Sequence, residues 1–446
     1  MNLKNFFIFS LVTEQIVFLY FDLQFTSILG ARFLQLLVIS YVLFIRPQYL
    51  NINFTKIDLV SFLFLIFIIF GFIVGLINLQ LGQYANSFDQ NINNGSTYQL
   101  ALSRLLRETI VYIYFFFIFI FLFNRIINSR DSLLSFFSIF RKVFIVLLAI
   151  GYLLFFFYYL YGYNLLPRQL NYGFDTQVGV DVGLRYMSLF GEPRDAVAGL
   201  MIGLGILALE QIYLINIKKI KKIPRSYWFT VVFALIAFYL TNSGSGLIAV
   251  ALFLILVLIS VFSVVKLNAR SIFIISLGIA YLLIILSASR TTIYFEEIQK
   301  IPDYMSGYNK DNLVLYTQFN NILPIWLYMN NLVELKIIPI FFGNGFASSA
   351  FVSYAHLGDY YSEGYENPHS QISRLVFETG IFGTFIWYLI FMIPINRFKK
   401  IIERKEYIIL SITYILSFSS LLAHRNPEMF LLLGVTLATF NQRNKS

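Results

Sequence analysis

The stretch Phe62-Leu-Phe-Leu-Ile-Phe-Ile-Ile-Phe-Gly-Phe72 has no charged side chain and no side-chain hydrogen-bonding group. With its flanks, 57–79, it reaches the ~20 residues that an α-helix needs to cross ~30 Å of hydrocarbon. Leu247–Val265 is likewise uncharged, with Ser260 and Ser263 its only polar side chains. Strands of a membrane barrel would alternate apolar and polar residues over about ten positions, and neither run does. The composition agrees: 58% hydrophobic, 19% aromatic and only 13% charged over 446 residues, with mean hydropathy +0.73. Soluble domains carry about 25% charged residues. A soluble enzyme and a disordered chain are excluded, and an all-α polytopic membrane protein is left.

Windows of this kind predict twelve transmembrane helices, at 5–21, 27–45, 57–79, 107–123, 143–161, 196–215, 227–241, 246–265, 271–288, 380–396, 407–423 and 429–440. They form a single integral membrane domain, 1–446. The start, Met1-Asn2-Leu3-Lys4 before an apolar stretch, has the look of a signal peptide. It lacks a small-residue cleavage site, so we read it as the first retained helix.

The net charge of +10 has a topological cause, because Lys and Arg collect in cytoplasmic loops; nucleic acid is not an expected partner. Lys218–Lys222 with Arg225, Arg397–Lys405, and Arg125, Arg130, Arg141 and Lys142 mark the inner side. The parity then works along the chain, with both termini cytoplasmic. Of the 15 Lys, 12 fall inside. Three outer segments remain: 80–106, 162–195 and a large loop at 289–379 between the ninth and tenth helices. Ile322–Met329 is expected to lie in the interface.

All three histidines and nine of the 18 arginines fall on the outer side. The positive-inside rule disfavours arginine there, and its planar fork grips phosphate bidentately. An anionic lipid head group such as a pyrophosphate is the expected ligand; the plainer alternative is ion pairing with acidic neighbours. In 162–195, Arg185, Glu192 and Arg194 gather at the head of the sixth helix, whose positive N-terminus favours an anion. In 289–379, Asn367 and His369 precede Arg374 and Glu378. The unperturbed pKa of histidine suits a general base. His424 and Arg425 fill a short outer turn. His356, Asp359, Glu363, Glu366 and His369 have a metal-like spacing, but Gly358, Gly364 and Pro368 break the helix it would need, so a solvated acidic loop is the reading and no metal is assigned. Among charges inside spans, Arg32 is placed to pair with Glu14, and Glu210 to snorkel to the inner side. No Walker, Gly-x-Ser-x-Gly or His-Glu-x-x-His motif occurs, and the chain has no cysteine, which excludes disulfide and thiol chemistry.

Four local patterns resemble the O-antigen polymerase / O-antigen ligase superfamily of bacterial membrane glycosyltransferases. They are RYMSLFGEPRD (Arg185–Asp195), LTNSGSGL (Leu240–Leu247, with Gly244 where many members have Arg), IPIFFGNGF (Ile338–Phe346) and NPHSQISRLVFETGIFG (Asn367–Gly383). The last is the most specific. The resemblance implies a donor of undecaprenyl-pyrophosphate-linked oligosaccharide at the outer face of the cell inner membrane. It implies His369 as the base that deprotonates the acceptor hydroxyl. Arg185 and Arg290 would hold the pyrophosphate, while Arg194, Glu192, Arg374, Asn367, Glu378, His424 and Arg425 line the substrate site. No cofactor is implied, because the lipid pyrophosphate is an activated donor. A chain-length regulator and a flippase are the implied protein partners. The expected activity is polymerisation of surface-polysaccharide repeat units. The alternatives are a ligase that passes finished glycan to lipid A core or another acceptor and, from another class, a polysaccharide transporter or flippase.

Overall fold

The computed structural model describes residues 3–12, 20–23, 26–50, 59–81, 94–162, 186, 188, 193–218, 223–241, 324–325, 327–349, 371–396, 414 and 427–443. The described residues are mainly helical. Among the described residues, five helices are long and apolar enough to cross a membrane: Leu59–Gln80, Ala101–Ile126, Arg130–Tyr161, Ala196–Ile215 and Ile372–Ile393. The expected spans 246–265 and 271–288 lie outside the described residues, and so does all of 407–423 except Tyr414.

The N-terminal part differs from expectation. Helix α1 covers Leu3–Val12, short of the expected 5–21, and Thr13-Glu14-Gln15 follows its last residue. Tyr20–Leu23 pairs antiparallel with Thr26–Leu29, so helix α2 begins at Gly30 and runs to Ile45. Gln35 of α2 donates to the Ser10 carbonyl of α1 at 3.4 Å and accepts from Tyr114 at 2.5 Å.

Helix α3, Leu59–Gln80, buries Val60, Phe64, Phe67, Gly71 and Gly75 along one stripe and leaves Leu59, Phe62, Ile69, Ile73 and Ile77 exposed. That division is the two faces of a helix packed on one side and lipid-facing on the other. Helix α4, Asn94–Phe115, begins well before the expected 107. It continues through a π-helical segment, Phe116–Leu122, and a last turn, Phe123–Ile126. Helix α5, Arg130–Tyr161, starts thirteen residues before the expected 143. Ser129 caps it: its hydroxyl accepts from the Ser132 amide at 3.2 Å, and Ser132 returns a bond to the Ser129 amide at 3.0 Å. Gly162, at φ +73°, closes it.

Helix α5 runs through Arg141 because that charge has a partner. Arg141 donates to Glu210 at 2.6 Å. The expectation that Glu210 snorkels is thus corrected: its side chain is buried, and the half-exposed arginine comes to it. Glu210 lies on helix α6, Pro193–Lys218, which is buried on every face from Ala196 to Tyr213. Small residues permit this. A side chain at Gly203 would overlap the Phe144 ring of α5. Helix α7, Arg225–Leu240, packs against both α5 and α6.

Helix α8, Ile337–Phe342, lies in the large loop, preceded by a helical stretch at 327–333. Helix α9, Gln371–Asn396, begins nine residues before the expected 380. Residues 371–379, read from sequence as loop, are therefore helical. Helix α10 covers Pro427–Arg443. Its Gly434 sits so close to the π-helical segment that a Cβ there would strike the Phe119 carbonyl. The middle of the assembly is aromatic: Phe430 contacts Phe115 at 4.7 Å and Phe64 at 5.5 Å, and Trp387 contacts Phe67 at 5.3 Å. Rings at such distances attract beyond simple area burial.

Candidate functional site

Helix α9 is two helices in register. Gly380, at φ 61° and ψ −167°, has a backbone conformation that is essentially restricted to glycine. Such a break leaves the carbonyls of the preceding turn without intrahelical donors. In a membrane each must be satisfied by protein, at several kcal/mol apiece if it is not. The donors come from the loop after α8. The Asn344 amide donates to the Phe377 carbonyl at 3.0 Å, the Asn344 side chain to the same oxygen at 3.1 Å, and the Gly345 amide to Glu378 at 2.7 Å.

Close approach explains the glycines. A Cβ at Gly343 would lie 2.5 Å from the Glu378 carbonyl and 2.5 Å from the Gly380 nitrogen. A Cβ at Gly345 would overlap the Gly75 backbone of α3. Gly71, one turn earlier, leaves room for the Phe346 ring, whose amide donates to the Gly71 carbonyl at 3.2 Å. Phe346 then stacks on Tyr112 of α4 at 4.7 Å. Two further bonds tie the same loop down: the Ile325 amide donates to the Ser373 hydroxyl at 3.0 Å, and Tyr328 donates to the Ile340 carbonyl at 2.9 Å.

Beneath the docked loop lies a charged cluster. Arg374 is fully buried and donates to Glu378 one turn later at 3.1 Å. Glu108 of α4 stands 3.7 Å from the same guanidinium nitrogen, with 1% of its side chain exposed. Ser349 donates to the Glu378 carboxylate. Arg374 keeps Nε and Nη1 without a hydrogen-bond partner among the described residues. Removing one member of such a buried set costs about 3–5 kcal/mol, since it strands the others.

The second expected site segment is anchored elsewhere. The Tyr186 amide donates to the Leu240 carbonyl at the end of α7, at 2.8 Å, and its hydroxyl donates to Leu148 of α5 at 3.2 Å. Its ring covers Gly151, where a Cβ would strike it. Burial pushes the Tyr186 hydroxyl well above the ordinary tyrosine pKa, so it stays a donor. Ser188, held at φ 53°, donates to the Leu147 carbonyl at 2.6 Å.

Of the expected site residues, Arg374 and Glu378 are brought together as one buried pair. Arg194 lies in the first turn of α6. Arg185 is flanked by the anchored Tyr186 but, like Glu192, Arg290, Asn367, His369, His424 and Arg425, lies outside the described residues. The acidic loop weighed as a metal cluster, 356–369, lies outside them too. Among the described residues no group of three or more His, Asp or Glu is placed to hold a metal. Sequence reading missed Glu108, Ser349, Gly71 and Gly75. Gly71-x-x-x-Gly75 was the available signal, since glycines four apart on an apolar helix mark a close packing face. Glu108, a carboxylate between Arg107 and an apolar run, was open to the same reasoning as Glu210.

Comparison of the chain with protein-family models, with curated proteins and with solved structures gives no match.

Proposed function

We propose that the chain is a surface-polysaccharide polymerase that joins lipid-pyrophosphate-linked repeat units at the outer face of the cytoplasmic membrane, with both termini inside. One observation carries the reading. Two of the four sequence patterns that prompted it, Ile338–Phe346 and Asn367–Gly383, are fitted to each other by backbone hydrogen bonds and interlocking glycines, as parts of one site would be. Arginine-for-lysine bias on the outer side and the anchored segment beside Arg185 support it further.

The reaction is glycosyl transfer. The acceptor hydroxyl oxygen attacks the anomeric carbon of the donor sugar, and the bond from that carbon to the pyrophosphate oxygen breaks. His369 takes the hydroxyl proton. The electron pair leaves on the lipid pyrophosphate, whose growing charge is met by Arg185 and Arg290. Fixed cations where charge develops supply the largest single share of such catalysis, about 10²–10³ in rate per donor removed. A placed base adds about 10²–10⁴. Because the donor is activated already, the step needs neither nucleotide nor metal.

Deletion of the gene in its native host, followed by a gel of surface polysaccharide, tests the proposal. Single-repeat product is the expected result. Long chains left on the lipid carrier would indicate a ligase, and an unchanged ladder would remove glycan transfer from consideration.

A further inference from the structure

We propose that residues 327–349 form a re-entrant element that dips from one membrane surface to the middle of the bilayer, with the outward face of α8 against the lipid tails of that leaflet. The inference needs no assumption about the reaction catalysed, nor about which side of the membrane the element enters from.

Three helices measure the depth. Phe342, the last residue of α8, contacts Phe70 of α3 at 6.1 Å and Phe382 of α9 at 6.5 Å. Phe70 stands 11 residues after Leu59 and 10 before Gln80, the ends of its span. Phe382 stands 10 residues after Ile372 and 11 before Ile393. Phe346 stacks on Tyr112, which stands 11 residues after Ala101 and 14 before Ile126. Each helix separately puts its contact near the centre of its span. Ten residues of helix rise about 15 Å, half of a ~30 Å hydrocarbon core. The element also starts and ends on one side. The Ile325 amide bonds Ser373 in the first turn of α9, and Phe342 lies nine residues deeper along that helix, beside Phe382. Helix α8 has only six residues, too few to cross.

Non-helical backbone survives at that depth only where protein covers it. The turn after α8 meets this condition. Gly343, Gly345, Phe346 and Ala347 are buried, and the amides of residues 343 to 346 donate to Pro339, Phe377, Glu378 and Gly71 in turn. The surface left over is apolar. Ile337–Phe342 has no charged or hydrogen-bonding side chain, and Pro339 has no N–H to satisfy. Ile337, Ile338, Phe341 and Phe342 are exposed. They continue the exposed faces of α3 at Ile69 and α9 at Phe385, joined through the contact of Phe70 with Phe382 at 5.4 Å. Contiguous apolar surface of this kind is stable against lipid and costly against water. The charges stop where α8 starts: Glu334 and Lys336 pair at 2.5 Å, half-exposed, at the end of α8 away from Phe342, where long side chains reach head groups.

The test uses the full chain in phosphatidylcholine vesicles. The protein has no cysteine, so single-cysteine variants need no other change. A small fluorophore is attached at Ile338→Cys and at Phe341→Cys, with Ile69→Cys as the mid-span lipid-facing reference and Lys336→Cys as the shallow one. Emission is read against lipids brominated along the acyl chain and against iodide in the water. The probes at 338 and 341 should lose emission to brominated lipid as the probe at 69 does, and keep it in iodide. The probe at 336 should lose emission to iodide. Iodide quenching at 338 and 341 would overturn the proposal. So would emission that neither quencher touches, which would show α8 covered by a second copy or another protein segment. A label-free measurement guards against probe effects. Phe341→Lys should lower the melting temperature in vesicles clearly, because a charge is costly at that depth, while Phe341→Leu should leave it near wild type. Equal melting temperatures for these two variants would overturn the proposal as well.

Discussion

The Gly345 amide donates to the Glu378 carbonyl across 2.7 Å, joining a loop to a helix that begins 26 residues later in the chain. The bond exists because Gly380 interrupts the helix and frees that carbonyl. The break, the loop and the buried charges are therefore one construction. Gly380 supplies acceptors, the loop supplies donors, and the carboxylate of Glu378 faces Arg374 while its carbonyl faces Gly345.

Substitution of Gly345 by alanine should be among the most damaging single-methyl changes in the chain. The residue sits at φ +88°, and the new Cβ would meet the Gly75 backbone, which cannot swing aside as a side chain can. Left-handed strain alone costs about 1–3 kcal/mol. The melting temperature of the purified protein in detergent should fall clearly, and an unchanged value would show that the loop does not pack against α3.

Gly162→Ala and Gly380→Ala separate strain from crowding. Both positions have positive φ, but nothing lies within 4 Å of a Cβ at Gly162, whereas at Gly380 the Phe341 carbonyl and the Gly343 nitrogen lie 2.6 Å away. Gly162→Ala should cost about 1 kcal/mol. Gly380→Ala should cost several times more and should loosen the docked loop, seen as faster proteolysis within 337–349. Equal melting temperatures for the two variants would contradict the packing.

Much of the helical plan was legible because apolar length is a strong signal. The expected 57–79, 196–215, 227–241 and 429–440 lie within a few residues of α3, the apolar part of α6, α7 and α10. The early starts of α5 and α9 share a cause. The sequence reading stopped at Arg141-Lys142 and at Arg374 and Glu378, treating charge as a membrane boundary. In the fold, Arg141 and Arg374 have carboxylates waiting, so the helices run through them. Pairing across distant segments is invisible in one sequence. The same holds for the site: the charges of Arg374, Glu378 and Glu108 are each visible in the sequence, but the approach of Glu108 to Arg374, 266 residues later, is not.

Tyr186 offers a probe of the arginine beside it. Tyr186→Phe removes one hydrogen bond, to Leu148, at a cost of about 1 kcal/mol, and keeps the ring over Gly151. Gly151→Val instead drives the ring out of its place, because the Cβ would fall on the phenol. Stability should change modestly in the first and more in the second. If the segment holds Arg185 for the donor, Gly151→Val should also raise the KM for lipid-linked donor severalfold, and Tyr186→Phe less. Donor KM unchanged in both would detach the anchored segment from substrate binding.

His369→Ala and Arg185→Lys test the chemistry itself. Loss of the base should remove about 10²–10⁴ of the rate, enough to leave single repeats on a gel, while the protein stays in the membrane at wild-type amount. Wild-type chain lengths in that variant would exclude the imidazole from the mechanism. Arg185→Lys keeps the charge and loses the fork. A bidentate grip on pyrophosphate predicts a loss approaching 10²–10³, because lysine is a point charge that cannot reproduce two parallel bonds. If instead the residue acts only by its field, lysine should serve nearly as well, and near-normal chain extension would say so. Measured together, the two variants distinguish a site that grips its leaving group from one that merely attracts it.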